Sequence, residues 1–201
     1  EKKRMDWGPR QKELEELLAR HKGRNGAAFD CIVPVSGGKD GSYVSYNMKH
    51  KYGMNPLCVT ITPPLAFNIG EENIRRFIQA GYDLIQINPD FEVMRELNKR
   101  GFIDQGRPTF GWTTAIHTAV MKMAKKFNID LIMYGEDGEA EYGGSMKHAD
   151  RASLSYEDFV ANRFSSVFPE SFEKYGITKE ELNKYGLSKE ELKKIKNLNI
   201  E

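Results

Sequence analysis

The sequence is poor in cysteine, has no long apolar run and carries almost no net charge. Cys31 and Cys58 are its two cysteines, and they form no CxxC pair, which excludes a cysteine zinc site built from this chain alone. Apolar runs such as LIMY are far too short to span a bilayer, and the amino end does not resemble a secretory signal. A formal net charge of +1 gives no electrostatic reason to expect a nucleic acid or a membrane as partner. We expect a cytoplasmic protein whose two thiols are buried.

Apolar segments alternate with amphipathic ones from residue 29 to residue 137. FDCIVPV is a near-continuous apolar run with β-branched residues, which is typical of a strand buried on both faces. The first amphipathic segment places Leu14, Leu17 and Leu18 on one helical face. The predicted strands are 29–35, 56–62, 82–89 and 129–137, and the predicted helices are 10–22, 42–52, 71–81, 91–101 and 112–128.

This alternation predicts an α/β fold, a parallel sheet with helices on both faces and right-handed crossovers. Ligands of such sheets bind beyond the carboxyl ends of the strands. We therefore expect function in the strand-end loops, which are 36–42, 60–70, 88–90 and 134–150.

The carboxyl-terminal tail contains an internal echo, GITKEEL followed ten residues later by GLSKEEL. Thr178 with Glu181, and Ser188 with Glu191, match the capping-box pattern. The tail predicts two short, solvated helices, and a packing appendage or an oligomer contact is the alternative. We divide the chain into an amino-terminal helix (1–28), an α/β domain (29–158) and a small helical carboxyl-terminal appendage (159–201).

The loop after the first predicted strand reads SGGKDGS. Gly37 and Gly38 allow a positive φ and a close approach of the backbone to a ligand. Successive N–H groups can then form an anion nest at the amino end of the next helix, and Lys39 adds a charge for phosphate oxygens. A carboxylate beside a polyphosphate is repulsive unless a cation separates them, so Asp40 implies Mg²⁺. A merely structural glycine turn is the alternative.

This loop resembles the PP-loop motif, SGGxDS, of the ATP pyrophosphatase superfamily. The resemblance implies an adenine nucleotide alpha hydrolase-like (HUP/PP-loop) fold and cleavage of ATP between its α and β phosphates. The loop would hold the departing pyrophosphate while a substrate oxygen is adenylated. The match consists of Ser36, Gly37, Gly38, Lys39 and Asp40, with Gly41 inserted before Ser42.

Longer segments resemble a narrower group, the N-acetyl sugar amidotransferases of the WbpG and PseA type. The segments are VSGGKDGSY, VTITPP, NIRRFIQAGYDLI, GWTTAIHTAVMKMA and YGEDGEAEYGGSMKHAD, and the resemblance covers about residues 1–158. It implies an enzyme of bacterial surface-polysaccharide (lipopolysaccharide) or sialic-acid-like sugar biosynthesis. The enzyme would convert an acetamido group of a nucleotide-linked sugar into an acetamidino group, with ammonia from a separate glutaminase subunit.

Two departures from that family concern the extent of the chain. Family members carry cysteine pairs ahead of the region that begins here, and they continue for longer after SMKHAD. We therefore expect a truncated sequence that lacks a metal-binding module, with Zn²⁺ as its expected metal, before residue 1 and a stretch near residue 160. Whether the protein forms a homo-oligomer stays open.

The resemblance also assigns roles to residues at the strand ends. Lys39 and Asp40 are the expected catalytic residues, and Asp40 is also the expected Mg²⁺ ligand. The second strand ends where members of the superfamily contact adenine and ribose, although its threonines are also ordinary β-branched strand residues. ATP contacts are expected from Ser36, Gly37, Gly38, Lys39, Gly41, Ser42, Thr60, Ile61, Thr62, Thr114 and Gly135.

The remaining candidates lie on the long helix and after the fourth strand. Thr113 and His117 open the helix and could reach the AMP phosphate, although a lone helical histidine is more often structural. Asp137 could complete the Mg²⁺ site, and a solvated turn is the alternative. The sugar is expected on the glycine-rich loop, at Glu136, Glu139, Glu141, Tyr142, Lys147 and His148.

Two rival functions stay open at this stage. The first is another PP-loop chemistry, tRNA thiolation or base modification, for which Cys31 and Cys58 are poorly placed. The second is a non-catalytic nucleotide-binding module, against which Asp40 argues, because binding alone needs no carboxylate beside the phosphates.

Overall fold

Strands and helices alternate from residue 7 to residue 105, and a second long helix then follows directly. The computed structural model describes residues 6–135, 168, 170–188 and 190–192. Its strands are β1 (Cys31–Pro34), β2 (Pro56–Ile61) and β3 (Asp83–Ile87). Its helices are α1 (Trp7–His21), α2 (Lys39–Tyr46), α3 (Asn68–Gln79), α4 (Phe91–Gln105), α5 (Phe110–Phe127) and α6 (Lys179–Tyr185), with a π-helical continuation of α2 (Asn47–Lys51) and short 3₁₀ helices (Arg24–Gly26 and Glu170–Tyr175). Within these ranges no helix is both long and apolar enough to cross a bilayer.

The three strands form a parallel sheet in the order β1, β2, β3. The chain then returns to the other side of β1, where Ile132 makes a parallel bridge with Ile32. The Ile32 N–H donates to the Leu131 carbonyl and the Met133 N–H donates to the Ile32 carbonyl, each over 2.9 Å. The strand order therefore reverses beside β1, and such a reversal is the point at which open α/β sheets bind ligands.

The fourth predicted strand, 129–137, is reduced among the described residues to this single bridge. The next bond of the ladder would need an N–H from the residue two positions after Ile32. That residue is Pro34, which has no N–H to donate. The ladder on this side of β1 therefore ends after one residue, whereas Val35 continues the pairing on the other side by donating to the Val59 carbonyl over 2.9 Å.

Helices cover both faces of the sheet, as the alternation predicted. Successive strand residues point to opposite faces, and the buried residues separate accordingly. Cys31, Val33 and Cys58 pack with Leu18 of α1 and Phe77 of α3. On the opposite face, Ile32, Leu57 and Val59 pack against Val120 and Ala124 of α5.

Helices α4 and α5 cross at two glycines. Gly101, at which the sequence predicted the end of α4, lies inside the helix. A Cβ on Gly101 would stand 2.2 Å from the Phe110 Cβ, and one on Gly111 would stand 2.5 Å from the Leu97 Cβ. Gly101 thus permits close helix packing, and α4 ends instead at Gly106, where φ is 69°.

The carboxyl-terminal segment packs against the domain, so the alternative of a packing appendage is confirmed and the prediction of solvated helices was wrong. Both predicted capping boxes form, since Thr178 and Glu181, and Ser188 and Glu191, exchange hydrogen bonds. Leu182, Tyr185 and Leu187 are nevertheless buried. The Asp90 N–H at the start of α4 donates to the Tyr185 hydroxyl over 2.6 Å. Capping sets where these helices begin, but apolar side chains on their inner faces dock them on the sheet domain.

Truncating Phe172 to alanine tests this docking. The side chain is 1% exposed and contacts the rings of Phe110 and Phe168. We expect Phe172→Ala to lower the free energy of unfolding, measured in urea, by about 3–5 kcal/mol. Phe102→Ala is the matched control, because Phe102 is 60% exposed on α4, and it should change stability by less than about 0.5 kcal/mol. Equal effects of the two truncations would contradict the docking.

Candidate phosphate-binding site

Helix α2 begins at the carboxyl end of β1 without a side-chain cap. Its N-cap is Gly38, with φ −85° and ψ 177°, and no side chain of the cap bonds the N–H groups of the first turn. The sequence predicted this helix from Ser42, but the structure places Lys39, Asp40 and Gly41 inside its first turn. The N–H groups of a first turn have no partner within the helix, and they carry the positive end of the helix dipole. An anion at this point is therefore favoured.

Gly37 has the positive φ that the motif predicted, at 80°. A Cβ on this residue would stand 2.8 Å from the Gly70 carbonyl oxygen and 3.3 Å from Cγ1 of Ile74, both in α3. The Asn73 Nδ2 donates to the Gly37 carbonyl over 2.9 Å. Gly38, for which a positive φ was also predicted, has a negative one. One glycine therefore makes the turn, and the first two turns of α3 form the wall behind it.

Two further glycines join the loop to neighbouring backbone. A Cβ on Gly41 would stand 2.8 Å from the Pro34 carbonyl oxygen, and one on Gly135 would stand 2.8 Å from the Asp40 carbonyl carbon. Gly135 follows the Ile132 bridge, so this contact spans the reversal of strand order. Gly135 was predicted to bind the nucleotide, and the structure places it against the first turn of α2.

Lys39 and Asp40 form an ion pair on the open side of this turn. The Lys39 Nζ lies 2.6 Å from Oδ1 and 2.9 Å from Oδ2 of Asp40. Their side chains are 87% and 47% exposed, and exposed pairs contribute little stability. Breaking this ion pair therefore costs little free energy. The ammonium is then available to a phosphate group, and the carboxylate to a cation.

The two serines of the motif differ in their surroundings. Ser36 is exposed at the end of β1. The Ser42 hydroxyl donates to the Gly38 carbonyl over 2.8 Å, within the helix. Ser42 thus orients the peptide group between Gly38 and Lys39, and any contact of its hydroxyl with a ligand would be as an acceptor.

The end of β2 presents one of its three predicted residues. Thr60 and Ile61 are 8% and 7% exposed, so a ligand at the edge would meet their backbone. The Thr62 hydroxyl donates to Oδ1 of Asn88 and accepts from Nε2 of Gln86, the latter over 3.1 Å. This polar row at the ends of β2 and β3 was not predicted as a unit, although Asn88 lies in a strand-end loop that the sequence marked.

Helix α5 begins at the same edge. Ala115 shares a cluster with Ile61 at the end of β2, whereas Ala124 shares one with Leu57 near its start, so α5 runs antiparallel to the strand. Thr114 is buried, with 4% of its surface exposed, and its contact with ATP stays a prediction. The Thr113 hydroxyl lies 3.4 Å from that of Thr109, and the ring centroids of His117 and Tyr134 are 6.2 Å apart.

The remaining predicted site residues fall outside the described residues. They are Glu136, Asp137, Glu139, Glu141, Tyr142, Lys147 and His148.

The donors at the loop fit Mg²⁺ and do not form a protein-only metal site. Within the described ranges, no three His, Cys, Asp or Glu side chains are grouped to hold a metal. Mg²⁺ commonly takes one or two carboxylates together with substrate phosphate oxygens, and Asp40 offers one half-exposed carboxylate beside the phosphate loop. The expectation of Zn²⁺ concerned a module ahead of residue 1 and stays a prediction.

These features define the described chain as an α/β protein with a glycine loop, poised for an anion, at the reversal of its strand order. No protein-family model matches the sequence. An uncharacterized protein of Methanocaldococcus jannaschii, MJ1599, is 33% identical over 95 residues, which are 45% of this chain and 33% of that protein. The chain thus spans about a third of the length of this relative.

The solved structures that resemble this chain include the following two. The first is the NH3-dependent NAD synthetase of Campylobacter jejuni, with a TM-score of 0.48 and 13% identity over 97% of this chain and 94% of that one. The second is the predicted subunit of a tRNA methyltransferase from M. jannaschii, with a TM-score of 0.39 and 20% identity over 83% of this chain and 73% of that one. At TM-scores below 0.5, neither likeness decides the activity of this chain.

Replacing Gly41 by alanine tests the close contact beneath the loop. Because the added methyl would stand 2.8 Å from the Pro34 carbonyl oxygen, we expect Gly41→Ala to lower the free energy of unfolding by about 1–3 kcal/mol. Gly70→Ala is the control, since Gly70 is also helical and a Cβ there meets nothing within 4 Å. Urea unfolding should show Gly70→Ala at least as stable as the parent, and a stable Gly41→Ala protein would contradict the contact.

The cysteines should be unreactive in the folded protein. Burial raises the pKa of Cys31 to about 12 and that of Cys58 to about 11, so the thiolate is scarce at neutral pH. With Ellman's reagent at pH 8 we expect no fast reaction of the native chain and two thiols after unfolding. Fast reaction of one thiol per folded chain would show that one cysteine is accessible. It would also return tRNA thiolation to the candidate functions.

Proposed function

We propose that this chain binds Mg-ATP at the glycine loop and cleaves it between the α and β phosphates. The observation that carries the proposal is the first turn of α2, where Lys39 and Asp40 stand exposed beside uncapped helical N–H groups. The N–H groups and Lys39 would hold the pyrophosphate. Asp40 would hold Mg²⁺, which, when bound, neutralises charge that develops on the departing pyrophosphate.

Asp40 favours turnover over binding alone. The turn already offers N–H dipoles and an ammonium for an anion, and a carboxylate among them would repel polyphosphate without a cation. A site that held a nucleotide without a metal ion would bind it more tightly without this side chain. The cost of keeping it is therefore explained by metal-assisted departure of pyrophosphate.

We further propose that the oxygen that attacks ATP is the acetamido oxygen of a nucleotide-linked sugar. The support is the sequence resemblance to the N-acetyl sugar amidotransferases, carried by segments that include the loop, the end of β2, α3 and the start of α5. The amide oxygen attacks the α phosphorus and pyrophosphate departs. The product of this step is an O-adenylyl imidate. Ammonia, supplied by a partner glutaminase, adds to the imidate carbon, and AMP leaves to give the amidine.

The exposed carboxyl edge suits a reaction of this kind. The chemistry needs no protein nucleophile, so its demands are on positioning and on charge. Holding two reactants in register can contribute several kcal/mol, on the order of 7–11 in favourable intramolecular cases. The polar row of Thr62, Gln86 and Asn88 lies on the same edge as the loop and would line one side of the space between ATP and its acceptor.

Phosphorus NMR tests the reaction. The protein is incubated with Mg-ATP, ammonium and a panel of nucleotide-linked acetamido sugars, and we expect sugar-dependent AMP and pyrophosphate. Sugar labelled with ¹⁸O in the acetamido group should transfer the label to AMP. ADP and phosphate would overturn cleavage between the α and β phosphates. AMP formation that depends on an added tRNA transcript would replace the sugar by the rival chemistry, and tight ATP binding without turnover would favour the binding module.

Replacing Asp40 by asparagine tests the role of the carboxylate. We expect Asp40→Asn to lower Mg²⁺-dependent pyrophosphate formation by about a hundredfold or more, because the cation loses its protein ligand. Asp83→Asn is the matched control, since Asp83 is exposed at the opposite, amino end of β3, and it should retain the parental rate. Retained activity in Asp40→Asn would remove Asp40 from the metal site.

A further inference from the structure

Asn73 lies outside the glycine motif, yet its side chain bonds the backbone of the loop. Its Nδ2 is 2.9 Å from the Gly37 carbonyl oxygen. Because a carbonyl can only accept, the amide nitrogen of Asn73 is the atom that faces it. Asn73 belongs to the second turn of α3, whose Gly70 carbonyl and Ile74 side chain close the space behind Gly37.

This hydrogen bond orients a neighbouring donor. A trans peptide group is planar, and its C=O and N–H point in opposite directions. The Gly37 carbonyl, directed at Asn73, therefore turns the Gly38 N–H away from α3. The bond from Ser42 to the Gly38 carbonyl does the same for the Lys39 N–H, by holding that carbonyl toward the helix.

Gly37 needs such a restraint more than its neighbours do. Its φ is 80°. A glycine populates positive and negative φ about equally well, so its intrinsic preference does not hold it in this conformation. The Gly70 carbonyl and the Ile74 side chain of α3 leave no room for a Cβ on Gly37. They do not fix the direction of the peptide group between Gly37 and Gly38. The hydrogen bond from the Asn73 Nδ2 to the Gly37 carbonyl fixes this direction in the absence of a ligand.

We propose that Asn73 is a positioning residue, which preorganises the phosphate loop by holding the Gly37 carbonyl so that the Gly38 and Lys39 N–H groups face a bound phosphate. The inference rests on the proposed function, because it assigns Asn73 a part in the same ATP site. Asn73 itself stays on the far side of the peptide group from the phosphate and makes no contact with it.

The first test compares Asn73→Ala with the parent in calorimetric titrations of Mg²⁺ and a non-hydrolysable ATP whose α–β bridge is a methylene. Loss of one neutral hydrogen bond of this kind should weaken binding roughly fivefold to tenfold. Asn68→Ala is the control, because Asn68 is exposed in the first turn of the same helix, and its affinity should equal that of the parent. The amide signal of Gly38 in a ¹⁵N–¹H spectrum should shift in Asn73→Ala without ligand, and not in Asn68→Ala.

The second test uses pH to separate positioning from a general loss of structure. In Asn73→Asp the ionised carboxylate can only accept and would repel the Gly37 carbonyl, whereas the protonated carboxyl can donate to it. The ratio of the affinities of Asn73→Asp and Asn73→Ala should therefore rise as the pH falls from 7 to 4, because an aspartate ordinarily titrates at about pH 3.9. Taking this ratio cancels the ionisation of the nucleotide, which both variants share.

The outcomes separate the two proposals. If the parent binds the nucleotide and Asn73→Ala binds it equally well, or if the ratio does not change with pH, the positioning role is overturned and the ATP site stands. If the parent binds no nucleotide, the proposed function fails and the positioning role fails with it.

Discussion

Three glycines allow backbone from different elements to meet at the carboxyl edge of the sheet. Gly37 turns against α3, Gly41 lies over the end of β1, and Gly135 packs on the peptide of Asp40. At each contact, a methyl group would stand 2.8 Å from a backbone atom of the neighbouring element. The direction of the N–H groups in the first turn of α2 and the place of the Lys39–Asp40 pair both depend on these approaches. The candidate site is thus made chiefly of backbone, and side chains adjust it.

The charges at the turn suit the proposed ligand, a nucleotide that brings its own cation. Lys39 and Asp40 satisfy each other while exposed, so neither carries the desolvation cost of a buried charge. In the proposed complex, the pair would separate, with Lys39 turning to the polyphosphate and Asp40 to Mg²⁺. Helix α2 adds a dipole that does not change on binding, which makes the site attractive to anions before any side chain moves.

Much of this architecture could be predicted from the pattern of residues. Alternation of apolar and amphipathic segments predicts helices on both faces of a parallel sheet, because each buried strand must be covered twice. The SGGKDGS loop follows a strand and precedes a helix, so its place at the carboxyl edge follows from the chain direction. The capping boxes of the tail likewise mark the starts of its helices. These features are local, and short-range sequence carries them.

Other features could not be predicted, because they depend on which surfaces meet. A glycine at position 101 is typical of a helix end. In the structure, Gly101 lies inside α4 and permits its close packing against α5. The sequence of the tail left open whether its helices are solvated or packed, and Leu182 and Tyr185 lie in an apolar cluster of the domain.

The sequence by itself therefore determined the order of the elements, the fold class and the chemistry that the loop offers. The tertiary structure decided which residues of distant segments contact one another. It brought Gly135 to Asp40 across the reversal of strand order, and Asn73 to Gly37 from the next crossover. The physical reason is that propensity and periodicity act over a few residues, whereas contacts between distant segments are set by packing of the whole domain.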